Sequence, residues 1–282
     1  MKVLVVGAGV LGSLHAVRLH DAGHDVSLLA RGSRLAALRS KGLLIARGDG
    51  PVRRVALPVV SEVEDVYELV VVAVRAQDME AALAGLRTLA ADVLTLGNWA
   101  GSPQALELAL GRDLLLAFPM AGGVMDQGVI RWTAPLKLGR LAAMPVGESG
   151  WGSSVRAERI VDVFNSAGFP AQVQQDMPGW LRTHAILVAP LGLAVDRAGG
   201  AAELAADAGA VRGVVDEVRG RLRALEDAPV PRILGVLKGT PTRTAVIALR
   251  RFLRTPAAAL ALDISSPAAR AEIELLAQQL GE

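Results

Sequence analysis

MKVLVVGAGVLG, residues 1–12, is the stretch whose reading decides the fold. Val3 to Val6 form a short uncharged apolar run, which reads as a buried parallel strand. Gly7, Gly9 and Gly12 follow as G-x-G-x-x-G, and Ser13 to Ala22 reads as a helix. Strand, glycine turn and helix in that order are the context in which this spacing signals a dinucleotide site. Gly7 permits the tight turn, Gly9 lets the backbone approach a pyrophosphate, and Gly12 lets the helix pack close to the strand. Ala8, Val10 and Leu11 complete the turn. The free N–H groups at the start of the helix, with their partial positive charge, are expected to face the phosphates.

Outward from this turn, His24 to Ala30 (HDVSLLA) reads as the second strand. Its C-terminal end should lie beside the adenine ribose, where a site for NAD carries Asp or Glu to accept from the 2′-OH. Here the residues are Ala30-Arg31-Gly32-Ser33-Arg34, and no carboxylate occurs before Leu44. Arg31 and Arg34 suit a 2′-phosphate, which matches the planar fork of guanidinium donors. The expected cofactor is therefore NADP(H).

The chain has 282 residues, 52% of them hydrophobic, which is enough for two domains with a substantial core. The net charge is only +2 and no basic block is present, so no nucleic-acid partner is expected. Cysteine is absent, which removes disulfides and thiol nucleophiles and argues against zinc; no metal site is expected. Tyr67 is the single tyrosine, which argues against a Ser–Tyr–Lys reductase centre. The longest apolar stretch, Ala185 to Val195, is too short to span a membrane and contains Pro190. The N-terminal apolar run reads as the first strand, not as a signal peptide, and a cytoplasmic location follows as the expectation.

Further along, Val52 to Leu57 reads as a short strand and Leu69 to Val74 as a buried one, followed by a helix over Asp78 to Ala90. Val93 to Leu96 and Leu114 to Phe118 read as further strands, with a helix from Gln104 to Leu110 between them. This alternation predicts an α/β fold with a doubly wound parallel sheet of the Rossmann type. Val129–Trp132 and Leu136–Gly139 read as two β segments, and Arg156 to Ala167 as an amphipathic helix. Beyond Gly168-Phe169-Pro170 only helices are expected: Met177 to Ala198 with Pro190 inside it, Ala201 to Leu225, Thr242 to Leu253 and Pro267 to Leu280. The expected domains are thus 1–170, nucleotide-binding, and 171–282, helical. Ligands of open α/β sheets sit at the carboxyl ends of the strands, so the active site is expected in the cleft between the two.

The whole chain resembles the ketopantoate reductase (2-dehydropantoate 2-reductase) family. The resemblance rests on GAGVLGSLHAVRLHDAGHDVSLLARGSRLAALRSKGL, on VVVAVRAQD, LTLGNWAG and AGFP, and on ARAEIELL near the C-terminus. It implies an NADPH-binding Rossmann domain joined to a helical domain similar to that of 6-phosphogluconate dehydrogenase. It also implies reduction of a 2-oxo acid to a 2-hydroxy acid in pantothenate biosynthesis, with a homodimer as the candidate assembly. The family's cofactor glycines correspond to Gly7, Gly9 and Gly12 and its 2′-phosphate arginine to Arg31. Its cofactor-contacting lysine corresponds to Arg75, and the asparagine that bridges cofactor and substrate to Asn98. Its substrate-binding glutamate corresponds to Glu272.

The expected general-acid lysine does not appear. Its slot falls on Leu181 or Arg182, and the chain's four lysines, Lys2, Lys41, Lys137 and Lys238, all lie elsewhere. Arg182 holds its proton too tightly to donate it, but it can bind a carboxylate or stabilise an oxyanion. His184, with its near-neutral reference pKa, is the candidate proton donor, and on that basis activity should fall as pH rises through neutrality. The expected activity is NADPH-dependent reduction of a 2-oxo acid or related carbonyl. The alternative is a catalytically degenerate NADP(H)-binding sensor or partner protein. A third reading is an oxidative enzyme, or one acting on an imine or a polyol.

Overall fold

The structure is a computed structural model that describes residues 1–133 and 142–281. The chain divides into two compact units, one of Met1–Gly97 and Ser102–Met177, the other of Asn98–Gly101 and Pro178–Glu282. The first unit contains β1 (Lys2–Val6), α1 (Val10–Asp21), β2 (Asp25–Leu29), α2 (Gly32–Lys41), β3 (Leu43–Arg47), β4 (Arg53–Val55), β5 (Val59–Val60), β6 (Leu69–Val72), α3 (Ala76–Ala84) and β7 (Asp92–Leu96). It continues with α4 (Pro103–Leu110), β8 (Leu115–Ala117), β9 (Gly122–Asp126), β10 (Val129–Thr133), β11 (Met144–Glu148), α5 (Val155–Ser166) and β12 (Ala171–Val173).

The eight-stranded sheet runs β12-β11-β8-β7-β6-β1-β2-β5. From β5 to β8 every pairing is parallel, which gives the doubly wound order 3-2-1-4-5-6. Val3–Val5 and Leu69–Val72 have no exposed surface, as expected of strands covered on both faces. The order reverses at β1, which pairs with β2 on one side and β6 on the other. β11 adds antiparallel to β8, and β12 then lies parallel to β11, so the sheet extends past Pro170. The β segments expected at Val52–Leu57 and Val129–Trp132 appear as β4 and β10, in a second sheet of order β4-β3-β10-β9 whose pairing is not legible in the sequence. The β segment expected at Leu136–Gly139 lies outside the described residues.

His15 sits wholly inside α1, stacked on Phe169 with centroids 4.3 Å apart and hydrogen-bonded through Nδ1 to the Leu11 carbonyl at 2.7 Å. Burial pushes its pKa down to about 4. The folded state therefore binds fewer protons than the unfolded chain between that value and 6.5, and stability rises with pH across this window. As pH falls from 7 to 4, the first unit should lose on the order of 3 kcal/mol through this residue. Urea unfolding of wild type and His15→Gln at both pH values measures it. An equal acid-induced loss in the variant would show that other groups carry the effect.

The second unit contains α6 (Met177–Ala198, its first residue in the first unit), α7 (Ala201–Ala206), α8 (Ala208–Ala224), a 3₁₀ segment (Arg232–Lys238), α9 (Thr242–Leu253), α10 (Pro256–Ala261) and α11 (Pro267–Gln279). α6 continues through Pro190. The single helix expected over Ala201–Leu225 is two, because Asp207 leaves helical geometry to cap α8. Its carboxylate accepts from the Gly209 and Ala210 amides at 2.8 and 3.0 Å.

Candidate functional site

The glycine turn opens onto a cavity of about 600 Å³ inside the first unit. Gly7 has φ +106°, and a Cβ there would come 2.5 Å from the Ala73 carbonyl oxygen. A Cβ at Gly12 would overlap the Gly7 carbonyl oxygen, whereas one at Gly9 would meet nothing within 4 Å. The first and third glycines are thus demanded by the protein's own packing, and the second leaves open space on the cavity wall. The N-caps of α1, α2 and α3 are Gly9, Arg31 and Arg75, none with a side-chain cap bond. In α4, α5 and α11, by contrast, a serine caps the first turn. The uncapped first turn of α1, at Val10, Leu11 and Gly12, leaves amides for an anion.

Arg31 and Arg34 both line this cavity, with Gly7, Ala8 and Gly9. Arg31 is exposed. Arg34 is half-buried and donates through Nε to the Ala8 carbonyl at 2.9 Å. Its Nη2 is buried without a hydrogen-bond partner among the described residues, and desolvation lowers its pKa from the ordinary value. A buried guanidinium nitrogen lacking an anion is a costly arrangement that a bound phosphate would relieve. These residues therefore fit a dinucleotide that bears an additional phosphate. Arg75, exposed, and Asn98 do not line the cavity. Asp78, in the first turn of α3, does, and nothing in the sequence singles it out.

The four residues read as candidates for catalysis, Asn98, Arg182, His184 and Glu272, all belong to the second unit. Three separate segments carry them, and one apolar cluster joins those segments: Ala100 from the strand-end loop, Ala185 and Ala189 from α6, and Leu276 from α11. The Ala100 amide donates to Gln279 Oε1 at 3.0 Å, which ties the loop to α11. Gly192 allows α6 to approach α11, since a Cβ there would touch Ile273 at 3.0 Å. Asn98 Oδ1 is buried with no hydrogen-bond partner among the described residues, an acceptor left for a ligand donor.

On α6, Leu181 is 2% exposed and packs inward, while Arg182 is exposed. His184 is half-buried and stacks on Trp180 one turn earlier, with centroids 5.2 Å apart and planes 10° from parallel. The i, i+4 spacing of the two rings is the signal by which the sequence could have placed Trp180 beside the candidate proton donor. Burial pushes the His184 pKa down to about 4, so the ring is neutral at pH 7. The expected fall of activity through neutrality therefore does not follow from this side chain. Among the described residues no group of three or more His, Asp or Glu could hold a metal ion, and no helix is long and apolar enough to cross a membrane.

The fold and the glycine-lined cavity define a protein of the two-unit class that joins a doubly wound α/β unit to a helical one. Residues 3–141 match the family described as "Ketopantoate reductase PanE/ApbA". The chain is 28% identical over 199 residues to 2-dehydropantoate 2-reductase of Pyrococcus abyssi (strain GE5 / Orsay), across 68% of this chain. The match spans 63% of that relative, less than two thirds of its length. Two solved structures share the fold. One is 2-dehydropantoate 2-reductase from Methylococcus capsulatus, with TM-score 0.63 and 15% identity over 100% of this chain and 98% of that one. The other is D-mandelate dehydrogenase with NADH and anilino(oxo)acetate, with TM-score 0.66 and 18% identity over 100% and 99%.

Proposed function

We propose that this chain is an NADPH-dependent oxidoreductase that reduces the carbonyl of a 2-oxo acid to the 2-hydroxy acid. The observation that carries the reading is the glycine-lined cavity with the unpartnered Arg34 Nη2 on its wall. The match of residues 3–141 to the ketopantoate reductase family and the fold-sharing D-mandelate dehydrogenase, which holds NADH and anilino(oxo)acetate together, support it. Gly7, Ala8 and Gly9 with the amides of Val10, Leu11 and Gly12 would hold the pyrophosphate, and Arg31 and Arg34 the 2′-phosphate. Arg75 would contact the cofactor from the start of α3. When bound, this cofactor supplies a hydride to the carbonyl carbon.

The remaining chemistry falls to the second unit's side chains. Arg182 pairs with the substrate carboxylate in water-rich surroundings, and Asn98 and Glu272 orient the substrate. His184 supplies the proton. Neutral in the free protein, it donates an N–H bond to the carbonyl oxygen. As negative charge grows on that oxygen, the ring's second nitrogen takes a proton from solvent while the first is given up. Trp180 holds the ring plane through the stack. The reaction would give the enzyme a cytoplasmic biosynthetic role such as pantothenate synthesis, with a homodimer as the assembly to test.

NADPH consumption against a panel of 2-oxo acids tests the reading. Tight NADPH binding with no turnover of any of them would favour a sensor or partner protein instead. His184→Ala should lower kcat at least about tenfold with little change in KM, since general acids contribute about 10²–10⁴-fold. Arg182→Ala should raise KM for carboxylate substrates. The wild-type rate should show no titration of His184 between pH 6 and 8. Near-normal turnover in His184→Ala would remove this residue from the chemistry.

A further inference from the structure

We infer that the exposed surface formed by the 3₁₀ segment Arg232–Lys238 and by α9 docks this protein peripherally on an anionic phospholipid bilayer. From Ala228 to Leu262 the chain has no Asp or Glu, although it holds 28 of them in all. The same stretch carries Arg232, Lys238, Arg243, Arg250, Arg251 and Arg254. The net charge of the whole chain is only +2, so positive charge is concentrated here. Among the described residues none of these cations is in an ion pair, whereas Arg53, Arg131, Arg156 and Arg159 each sit against a carboxylate. Arg232, Arg243, Arg251 and Arg254 are exposed.

Apolar side chains stand among these cations. Ile233, Val236 and Ile247 are 57%, 62% and 67% exposed, and Phe252 is exposed as well. On α9, Thr244, Ile247, Ala248 and Arg251 follow at i, i+3, i+4 and i+7 and all face outward, with Phe252 one residue further. Val246, Leu249 and Leu253 form the opposite face and pack with Val195, Leu204 and Val211, so the core of the unit is already served. Arg219 of α8 fixes the 3₁₀ segment beside α9. It donates to the Leu237 and Thr240 carbonyls and to Thr242 Oγ1. Side chains of this stretch donate but scarcely accept, since its only polar residues besides the cations are four threonines. A second copy presenting the same face would set cations against cations. Nucleic acid supplies phosphates but no hydrocarbon for Ile233, Val236 and Ile247. An anionic bilayer supplies both, phosphate acceptors for the guanidinium groups and acyl carbon just beneath them.

Co-sedimentation of the full chain with vesicles is the test, using phosphatidylcholine alone and equal parts of phosphatidylcholine and phosphatidylglycerol. Wild type should bind the mixed vesicles at least about tenfold more tightly and lose that advantage in high salt. The double variant Arg243→Gln/Arg251→Gln should weaken binding to mixed vesicles at least about tenfold, given roughly fivefold for each cation near the surface. The double variant Ile233→Ser/Ile247→Ser should also weaken it at least about tenfold, through lost apolar burial. All four side chains are exposed, so urea midpoints should stay near that of wild type. Equal binding to the two kinds of vesicle, or undiminished binding by either double variant, would overturn the inference. So would a single-stranded oligonucleotide bound as tightly as the mixed vesicles, which would assign the face to nucleic acid. Self-association without lipid that Arg243→Gln/Arg251→Gln abolishes would assign it to a second copy and overturn the inference equally.

Discussion

Replacing Gly12 with alanine is expected to disable the first unit on two counts at once. The new methyl would overlap the Gly7 carbonyl oxygen and lie 3.2 Å from Ala73 Cβ. Gly7 has little room to retreat, because it is held at φ +106° and the place its Cβ would take lies only 2.5 Å from the Ala73 carbonyl oxygen. Relief must come from displacing α1 from β1, at a cost of about 3 kcal/mol, the upper range for overpacking. The same displacement moves the amides of Val10 and Leu11, and misplacement of about 1 Å at a binding site can cost 10²-fold. NADPH affinity should therefore drop by about two orders of magnitude. Gly9→Ala is the contrast. Its methyl would point into open space, so stability should change by no more than about 0.5 kcal/mol while affinity falls. Urea midpoints and calorimetric titration of both variants separate the effects. A Gly12→Ala protein with wild-type stability would show that the turn yields where the geometry says it cannot.

The second large effect is expected at Arg34. Wild type should bind NADPH more tightly than NADH, and Arg34→Ala should lose most of that preference. Charge-assisted contacts to the 2′-phosphate contribute on the order of 1.5–3 kcal/mol, or roughly ten- to hundredfold in affinity. NADH binding should change far less, by what the Nε bond to the Ala8 carbonyl adds to the order of the glycine turn. Arg31, exposed where Arg34 is half-buried, should matter less when removed alone. Arg34→Lys should recover only part of the preference, since an ammonium lacks the fork that can hold Ala8 and a phosphate together. Equal affinity of wild type for the two cofactors would dismiss the phosphate assignment for both arginines.

What can be read from the chain is what neighbouring residues decide among themselves. The β1–α1–β2 unit is contiguous, its strands are unbroken apolar runs, and its glycines answer to local sterics, so its order is legible in the sequence. The second sheet is not, because Leu43–Arg47 has no local parallel partner: Ile45 pairs with Ile130, far along the chain. Val59–Val60 is too short to show a period, and only its register against Leu28 and Leu29 makes it a strand. The site divides in the same way. Arg31 and Arg34 are legible because they follow a strand of recognisable role. Asp78 is not, since Asp78, Ala81, Ala82 and Gly85 look like any exposed helix face until a cavity is found against them. The pKa of His184 depends on burial that one side chain's identity does not disclose.

The four residues Asn98–Gly101 group with the helical unit although the chain on either side of them belongs to the other. Modular exchange of the two units is thereby constrained. A fragment beginning at Pro178 would lack Ala100, leaving a gap beside Leu276 and a Gln279 carbonyl without its amide donor. It would also lack Asn98. A lineage that swapped one nucleotide-binding unit for another by a single crossover would inherit a helical unit missing a piece of its own core. Substrate range in such a chain can therefore drift by substitution within α6 and α11 more readily than by recombination, and the loop after β7 has to travel with the helices it serves.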